Sequence, residues 1–467
     1  MTQPFPDDFH LTGWMGPSGV ECDAPDLIIE GEIPADLNGV YYRNGPDPVH
    51  PPREGDKYHW FHGDGMIQRF EFANGRVSWK NRWVRTEKYE LERAAGKSLF
   101  GVNRNPKTTD PSVANVHFNN ANTHIIWHGD RLLALMEGTI AVELDPISLE
   151  TLGNFDYDGK ITGPITAHPK FDHRTGEMVF FGNQAKGFGS PYLRYNVADK
   201  HGNLIKEEMI KAPFASFVHD FLVTENYVIF PVFPLVFDME RAISKGVPMA
   251  WEPDKGTHLG VMPRNGSAKD VTWHTMDPRW SFHNMNAWEE AGKIKIDLCA
   301  SNATLFAAKV DGSMASANEG VMPQLRRWTI DVHGTRNSIK EELLDDIICE
   351  FPRTDDRYMT QPYRHGFAAG KLNGSAVYNS IVHFDTHTGS RTVWSEEHYL
   401  MGEPVFAPRT DNAAEADGYL VVMAYSQATL LSEVLVFNAT DIGAGPIGRA
   451  RLPLRIPAGF HGSWVGA

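Results

Sequence analysis

An all-β fold of the propeller, barrel or sandwich kind is what this sequence predicts, and three observations carry it. Short runs rich in β-branched and aromatic residues recur along the chain, each bounded by Gly, Asp, Asn or Pro. Turn pairs suited to tight hairpins lie between them. Helical patterning is nearly absent, and many strands with few helices fit these three architectures.

Taken in order, the first hairpin is expected at Asn74-Gly75, where two residues that tolerate positive φ follow one another. Glu87 to Leu99 is the clearest helix, with good helix formers and a polar face. A turn at His128-Gly129-Asp130 leads into a strand over Arg131 to Glu137, and Thr175-Gly176 leads into one over Glu177 to Gly182. Asn226 to Pro231 reads as a further strand. The apolar run Phe230 to Phe237 is broken by prolines, which demotes it as a central strand. It is either buried beside a substrate tunnel or exposed at the tunnel's mouth. A shorter helix is expected over Met239 to Lys245. Strands follow at Lys293 to Leu298 and Gly418 to Ala424, with a turn at Thr388-Gly389. Blocks of roughly 50 residues would suit propeller blades, but the blocks are too unlike one another to count.

The 467 residues contain 30 Pro and 42 Gly, scattered as turn punctuation with no linker-like stretch. One domain spanning 1–467 is therefore expected, since all-β domains run large. The formal charge of −15 argues against nucleic acid, whose phosphates require a basic footprint. The N-terminus has no basic segment followed by an apolar run, and no stretch is apolar enough to span a bilayer. Peripheral membrane contact stays open. Cys22, Cys299 and Cys349 are far apart in sequence and odd in number, which fits a reducing compartment without a disulfide framework or thiolate zinc site. These features point to a soluble cytoplasmic protein, monomeric or homodimeric.

Four of the 20 histidines stand out by their surroundings: His168, His219, His283 and His461. A lone histidine is more often a satisfied polar residue than a ligand, and no His-x-x-x-His or Cys-x-x-Cys spacing helps here. His168 precedes Pro169, which restricts its backbone to extended conformations. His219 precedes Asp220 and an apolar strand.

The words around them run through most of the chain: Tyr42-Arg43-Asn44-Gly45-Pro46, Gly63-Asp64-Gly65-Met66, Asp110-Pro111-Ser112-Val113, Thr166-Ala167-His168-Pro169-Lys170, His219-Asp220-Phe221, Phe282-His283, Gly402-Glu403-Pro404 and His461-Gly462. In these words the chain resembles the carotenoid cleavage oxygenase family, and within it the lignostilbene- and isoeugenol-cleaving branch. The resemblance implies a seven-bladed β-propeller with a few short helices and loops capping the active-site face. It implies one non-haem Fe(II), held by His168, His219, His283 and His461, with dioxygen as co-substrate. Imidazole ligands suit iron. Glu137, Glu350 and Glu403 match the family's carboxylates that orient ligating histidines through the second ring nitrogen. Burial is expected for Glu137, inside an apolar strand, and for Glu350, between Cys349 and Phe351. Thr123 matches a threonine near the open coordination position, or is an ordinary strand threonine.

The resemblance implies oxidative cleavage of the C=C bond of an aromatic alkene into two carbonyl products. Two positions depart from the branch's pattern. Where relatives carry a Tyr and a Lys that grip a 4-hydroxyl group, this chain has Asn103 and Met136. Neither stabilises a phenolate by charge. The substrate is therefore an aromatic alkene without that grip, or a more apolar apocarotenoid-like polyene. A non-oxidative isomerohydrolase of the same fold is the remaining alternative within the family. Trp60 and Phe306 are candidate wall residues for an apolar substrate, or plain core aromatics.

Overall fold

Asn74 and Gly75 both adopt positive φ (51° and 76°) and close the hairpin between strands Met66–Ala73 and Arg76–Trp83. Gly129 and Asp130 do the same between His124–His128 and Arg131–Leu135, as the turn chemistry predicts. Gly176 and Gly389, at φ 74° and 71°, complete two further predicted hairpins. The strand Arg76–Trp83 alternates strictly between inward and more exposed positions, the signature of a half-buried pleat.

The computed structural model describes residues 4–334 and 339–467; the Asn103 side chain also lies outside the described set. The fold is all-β, with two α-helices and several 3₁₀ turns among the described residues. The chain forms two compact units, Met1–Ala167 with Glu396–Ala413 and Asp417–Ala467, and His168–Ser395 with Ala414–Ala416.

The first unit carries three antiparallel sheets. One orders Asp23–Ala24, Arg76–Trp83, Met66–Ala73, Gly39–Arg43 and Gly462–Gly466, so the last strand of the chain pairs with an early one. A second is the meander His124–His128, Arg131–Leu135, Ala141–Leu144, Thr151–Phe155. A third orders Ile28–Gly31, Gly448–Arg451, Leu431–Asn438, Gly418–Ser426 and Tyr399–Pro408. Tyr41, Phe70, Trp79, Val421 and Val436 are among the buried residues of its core.

The second unit holds two four-stranded sheets, Lys170–Asp172 through Leu204–Lys211 and Leu222–Val223 through Thr272–Met276. It also has a small two-stranded sheet and a seven-stranded sheet from Trp280–Glu290 to Ser390–Ser395. Trp251, Trp280, Trp328 and Leu298 anchor one of its cores.

Two expectations change here. The apolar run Phe230 to Phe237 is buried along nearly its whole length. Its first part belongs to a strand, Tyr227–Val232, that continues through Pro231. The neighbouring strand Leu222–Val223 reaches only as far as Ile229, so Pro231 is laddered on one side alone. The strand expected over Arg131 to Glu137 ends at Leu135, which leaves Glu137 in the following turn, half-buried.

Both predicted helices form. Helix α1, Glu87–Ala95, is capped by the Thr86 hydroxyl and closed by Gly96 at φ 66°, four residues before its expected end at Leu99. Its polar face is partly an inward one. Lys88 is buried, with its ammonium 2.7 Å from Asp64 and 2.8 Å from Glu92. The other oxygen of Glu92 accepts the backbone N–H groups of Leu99 and Phe100. Helix α2, Met239–Lys245, has the predicted bounds, with Asp238 capping its start and Gly246 its end.

Candidate metal centre

Three of the four singled-out histidines lie in the second unit, and each stands at or beside the outermost strand of a different sheet. His168 precedes Lys170–Asp172, with Pro169 between them. His219 precedes Leu222–Val223. His283 lies within Trp280–Glu290 at a β-bulge, where Phe282 and His283 together stand opposite one partner residue, Cys299. A bulge re-aims a side chain that regular pleating would point elsewhere.

The three rings converge. The Nε2 atoms of His168 and His219 are 2.9 Å apart, and those of His219 and His283 are 3.2 Å apart. Ring centroids stand 4.5 to 5.1 Å from one another. His168 and His219 are buried and His283 nearly so.

A carboxylate sets the state of one ring. His283 donates its Nδ1–H to Glu350 Oε2 at 2.5 Å, which makes Nε2 the acceptor nitrogen of the ring. The same oxygen accepts the Phe351 N–H. Glu350 is the last paired residue before a bulge of Phe351 and Pro352, and Phe351 takes φ 53° there. The Phe351 ring lies stacked 5.4 Å from the His283 ring. Glu350 is thus buried as expected and bonded to a histidine.

His461, in the first unit, has the same arrangement. Its Nδ1 donates to Glu403 Oε1 at 2.9 Å, while Glu403 Oε2 accepts the Gly462 N–H at 2.9 Å. Glu403 again sits in a bulge, with Gly402 opposite Met423. The His461 N–H donates to the carbonyl of Thr123 at 3.2 Å, which seats Thr123 against it. His124 packs edge-on against the His461 ring at 5.4 Å and bonds through Nδ1 to the carbonyl of Ala167.

Aromatic rings pack against the second-unit histidines. In the second unit Phe217 stacks on His219 at 5.9 Å, and Phe282 meets it edge-on at 5.3 Å. Phe306 packs against Phe217, Trp280 and Phe282 at 5.2 to 6.2 Å. In the first unit Trp60 lies 4.4 Å from Phe460, the residue before His461, and donates its indole N–H to Ala458. Also in the first unit, Met136 packs with Leu99, Phe100, Val113 and Phe118 and accepts the Asn120 N–H on its sulfur. Asn103 falls in the 3₁₀ turn Val102–Arg104, its side chain outside the described residues.

Sequence reasoning did not single out Phe217, Phe282 or Phe351. It also treated the cysteines as remote from one another, whereas Cys299 and Cys349 bring their sulfurs to 3.6 Å as free thiols. Burial pushes the Cys299 thiol up, and Cys349 adds to it. One signal for the bulges was legible: Pro352 and Pro404 each fall inside a strand within two residues of a functional glutamate.

The donor set fits a first-row divalent metal. Three imidazole nitrogens face one point, one of them held as an acceptor by its carboxylate partner, and no thiolate competes. The match extends to the chain as a whole. A family model described as retinal pigment epithelial membrane protein covers residues 15–466. The chain belongs to this family, the carotenoid oxygenases. Among its oxygenase relatives, isoeugenol monooxygenase of Pseudomonas nitroreducens is 39% identical over 98% of both chains. Lignostilbene-alpha,beta-dioxygenase isozyme III of Sphingomonas paucimobilis is 37% identical over 99% of this chain and 98% of its own. The crystal structure of Pseudomonas brassicacearum lignostilbene dioxygenase superposes with a TM-score of 0.95 at 38% identity, covering all of both chains. No helix of this carotenoid oxygenase, among the described residues, is long and apolar enough to cross a membrane.

Proposed function

We propose that this carotenoid oxygenase is a non-haem Fe(II) enzyme that cleaves the C=C bond of an aromatic alkene with dioxygen, giving two carbonyl products. The observation that carries the reading is the three-imidazole convergence with His283 locked by Glu350. His461, oriented by Glu403 in the same manner, is the fourth ligand in this reading. The alkene class follows from the relatives named for isoeugenol and lignostilbene. The chemistry supplied by iron held there is activation of dioxygen toward an alkene.

The chain's own residues have separable tasks. Glu350 and Glu403 fix the tautomer and tilt of their histidines, so that Nε2 is the nitrogen offered as a metal ligand. Phe217, Phe282 and Phe351 present apolar faces beside the rings and keep water from them, with Phe306 packed behind Phe217 and Phe282. Trp60 packs on Phe460, the residue before His461. Thr123, whose carbonyl accepts the His461 N–H, would narrow the space beside a metal that His461 helped to hold. Glu137, half-buried past its strand end, is the third of the family's orienting carboxylates in this reading.

We also propose one seven-bladed propeller domain from residue 1 to 467. The sheets support it: three in the first unit, two four-stranded ones in the second, and a seven-stranded sheet that divides in two. Its long strand Lys340–Thr354 pairs by its first part with Gln324–Asp331 and by its second with His365–Lys371.

Met136 favours a second reading of the substrate. It lies in an apolar cluster, where a charged or phenol-gripping group would stand in relatives of the branch. A polyene, or an aromatic alkene without a free 4-hydroxyl group, suits that wall. The test is a product screen under oxygen with 4-hydroxystilbenes, isoeugenol, 4-vinylphenols, their 4-methoxy analogues and apocarotenals, read by mass spectrometry. Aldehyde products from an aromatic alkene, lost in His219→Ala together with iron, are expected. Cleavage of apocarotenals alone establishes the second reading; full turnover by an iron-free His219→Ala preparation overturns both.

A further inference from the structure

The three converging histidines of the second unit begin strands of three separate sheets, and no backbone ladder among the described residues joins those strands. Ring nitrogens held 2.9 and 3.2 Å apart need a tie that sheet pairing does not provide. One buried carboxylate supplies it. Asp220, 4% exposed, follows His219 directly. Its Oδ2 accepts the backbone N–H of Asn284, the residue after His283, at 2.9 Å. Its Oδ1 lies 2.7 Å from the ammonium of Lys170, two residues after His168. The same Oδ1 accepts the N–H of Phe221 at 2.7 Å, which fixes the carboxylate's own rotamer. Each of the three histidines is therefore within two residues of a bond to this one side chain.

We infer that Asp220 is a positioning residue that sets the mutual spacing of His168, His219 and His283 and so the affinity and geometry of the metal they hold. The inference rests on the reading of those histidines as ligands. A buried ion pair that served stability alone would have no reason to engage the backbone beside a second histidine. Lys170 contributes both charge balance and reach: with its side chain 14% exposed, it partners a carboxylate that would otherwise be buried as a lone anion.

The test uses the full chain loaded with Co(II), whose visible absorption reports ligand geometry, and a chelator competition that reports affinity. Wild type is expected to bind one Co(II). Asp220→Asn keeps the shape and one acceptor but loses the charge. It should lose on the order of 10- to 100-fold in affinity, as outer partners of ligands do, and shift the absorption band. Lys170→Met should shift the band in the same direction by less. Asp297→Asn is the control: it weakens the pair that buried Asp297 makes with Arg327 in the same unit and should lower the melting temperature while leaving the band unchanged. If Asp220→Asn fails to fold by circular dichroism, Lys170→Met carries the test. Wild-type affinity and band shape in Asp220→Asn, or in Lys170→Met where only that variant folds, overturn the inference and leave the ligand assignment standing. A wild type that binds no metal overturns the ligand assignment itself, and the inference with it.

Discussion

Glu350 shows how much one residue contributes when its surroundings are fixed. Its carboxylate is buried, and one of its oxygens accepts both the His283 Nδ1–H and the Phe351 N–H, which pins its orientation. Removing it leaves His283 free to choose the other tautomer and to turn. Glu350→Ala is expected to weaken metal retention about 10- to 100-fold, and Glu350→Gln, which still accepts a hydrogen bond, by less; chelator competition on the intact protein measures both. Equal retention in Ala and wild type would mean that the glutamate does not orient its histidine. The burial of Glu350 was legible from its neighbours Cys349 and Phe351. Glu137, also expected to be buried, is only half-buried, because its strand stops two residues early and nothing in the apolar run Arg131 to Leu135 marks the stop.

Bulges decide the site at the scale of elements. His283 and Glu403 lie inside bulges, and Glu350 stands at the edge of one. A regular strand alternates its faces, so one extra residue moves every later side chain to the opposite face. The prolines at 352 and 404 hinted at irregularity, yet no residue type states which neighbour is the extra one. Helix α1 illustrates the opposite case, where the element was legible and its energetics were not. Burial alone works against the Lys88 ammonium, but Asp64 and Glu92 outweigh that and hold it above the usual lysine range. Lys88→Met strands two buried carboxylates and should cost about 3–5 kcal/mol of stability, measured by chemical denaturation, with metal content per folded molecule unchanged. A loss below about 1 kcal/mol would show that water reaches this face of the helix.

For the whole molecule, buried histidines set the response to acid. Burial lowers His62 to about 3 and His383 to about 4; unfolded, both titrate near 6.5. Below that value the unfolded chain binds the protons that the folded chain refuses, so stability is full above about pH 6.5 and is lost as pH falls toward 4. Asp47 acts in the opposite sense. Burial raises it to about 7, so its contribution is greatest at low pH and fades as pH rises toward 7. The two histidines outnumber it, and the denaturation midpoint is expected to fall between pH 6.5 and 4. His383→Gln should flatten that slope, and an unaltered slope would show that His383 is protonated in the folded protein.

Local chemistry is what the sequence by itself determined. Asn74-Gly75 and Gly129-Asp130 had to turn, the run from Glu87 had to be helical, and the words around four histidines carried the family. Only the tertiary structure decided how residues 51 and 64 positions apart bring their nitrogens within 3.2 Å. It also decided that Asp220 ties their strands together and that an aromatic collar surrounds them. The reason is physical: propensity and turn geometry act over a few residues, whereas convergence depends on the packing of whole sheets and on where each strand carries one residue too many.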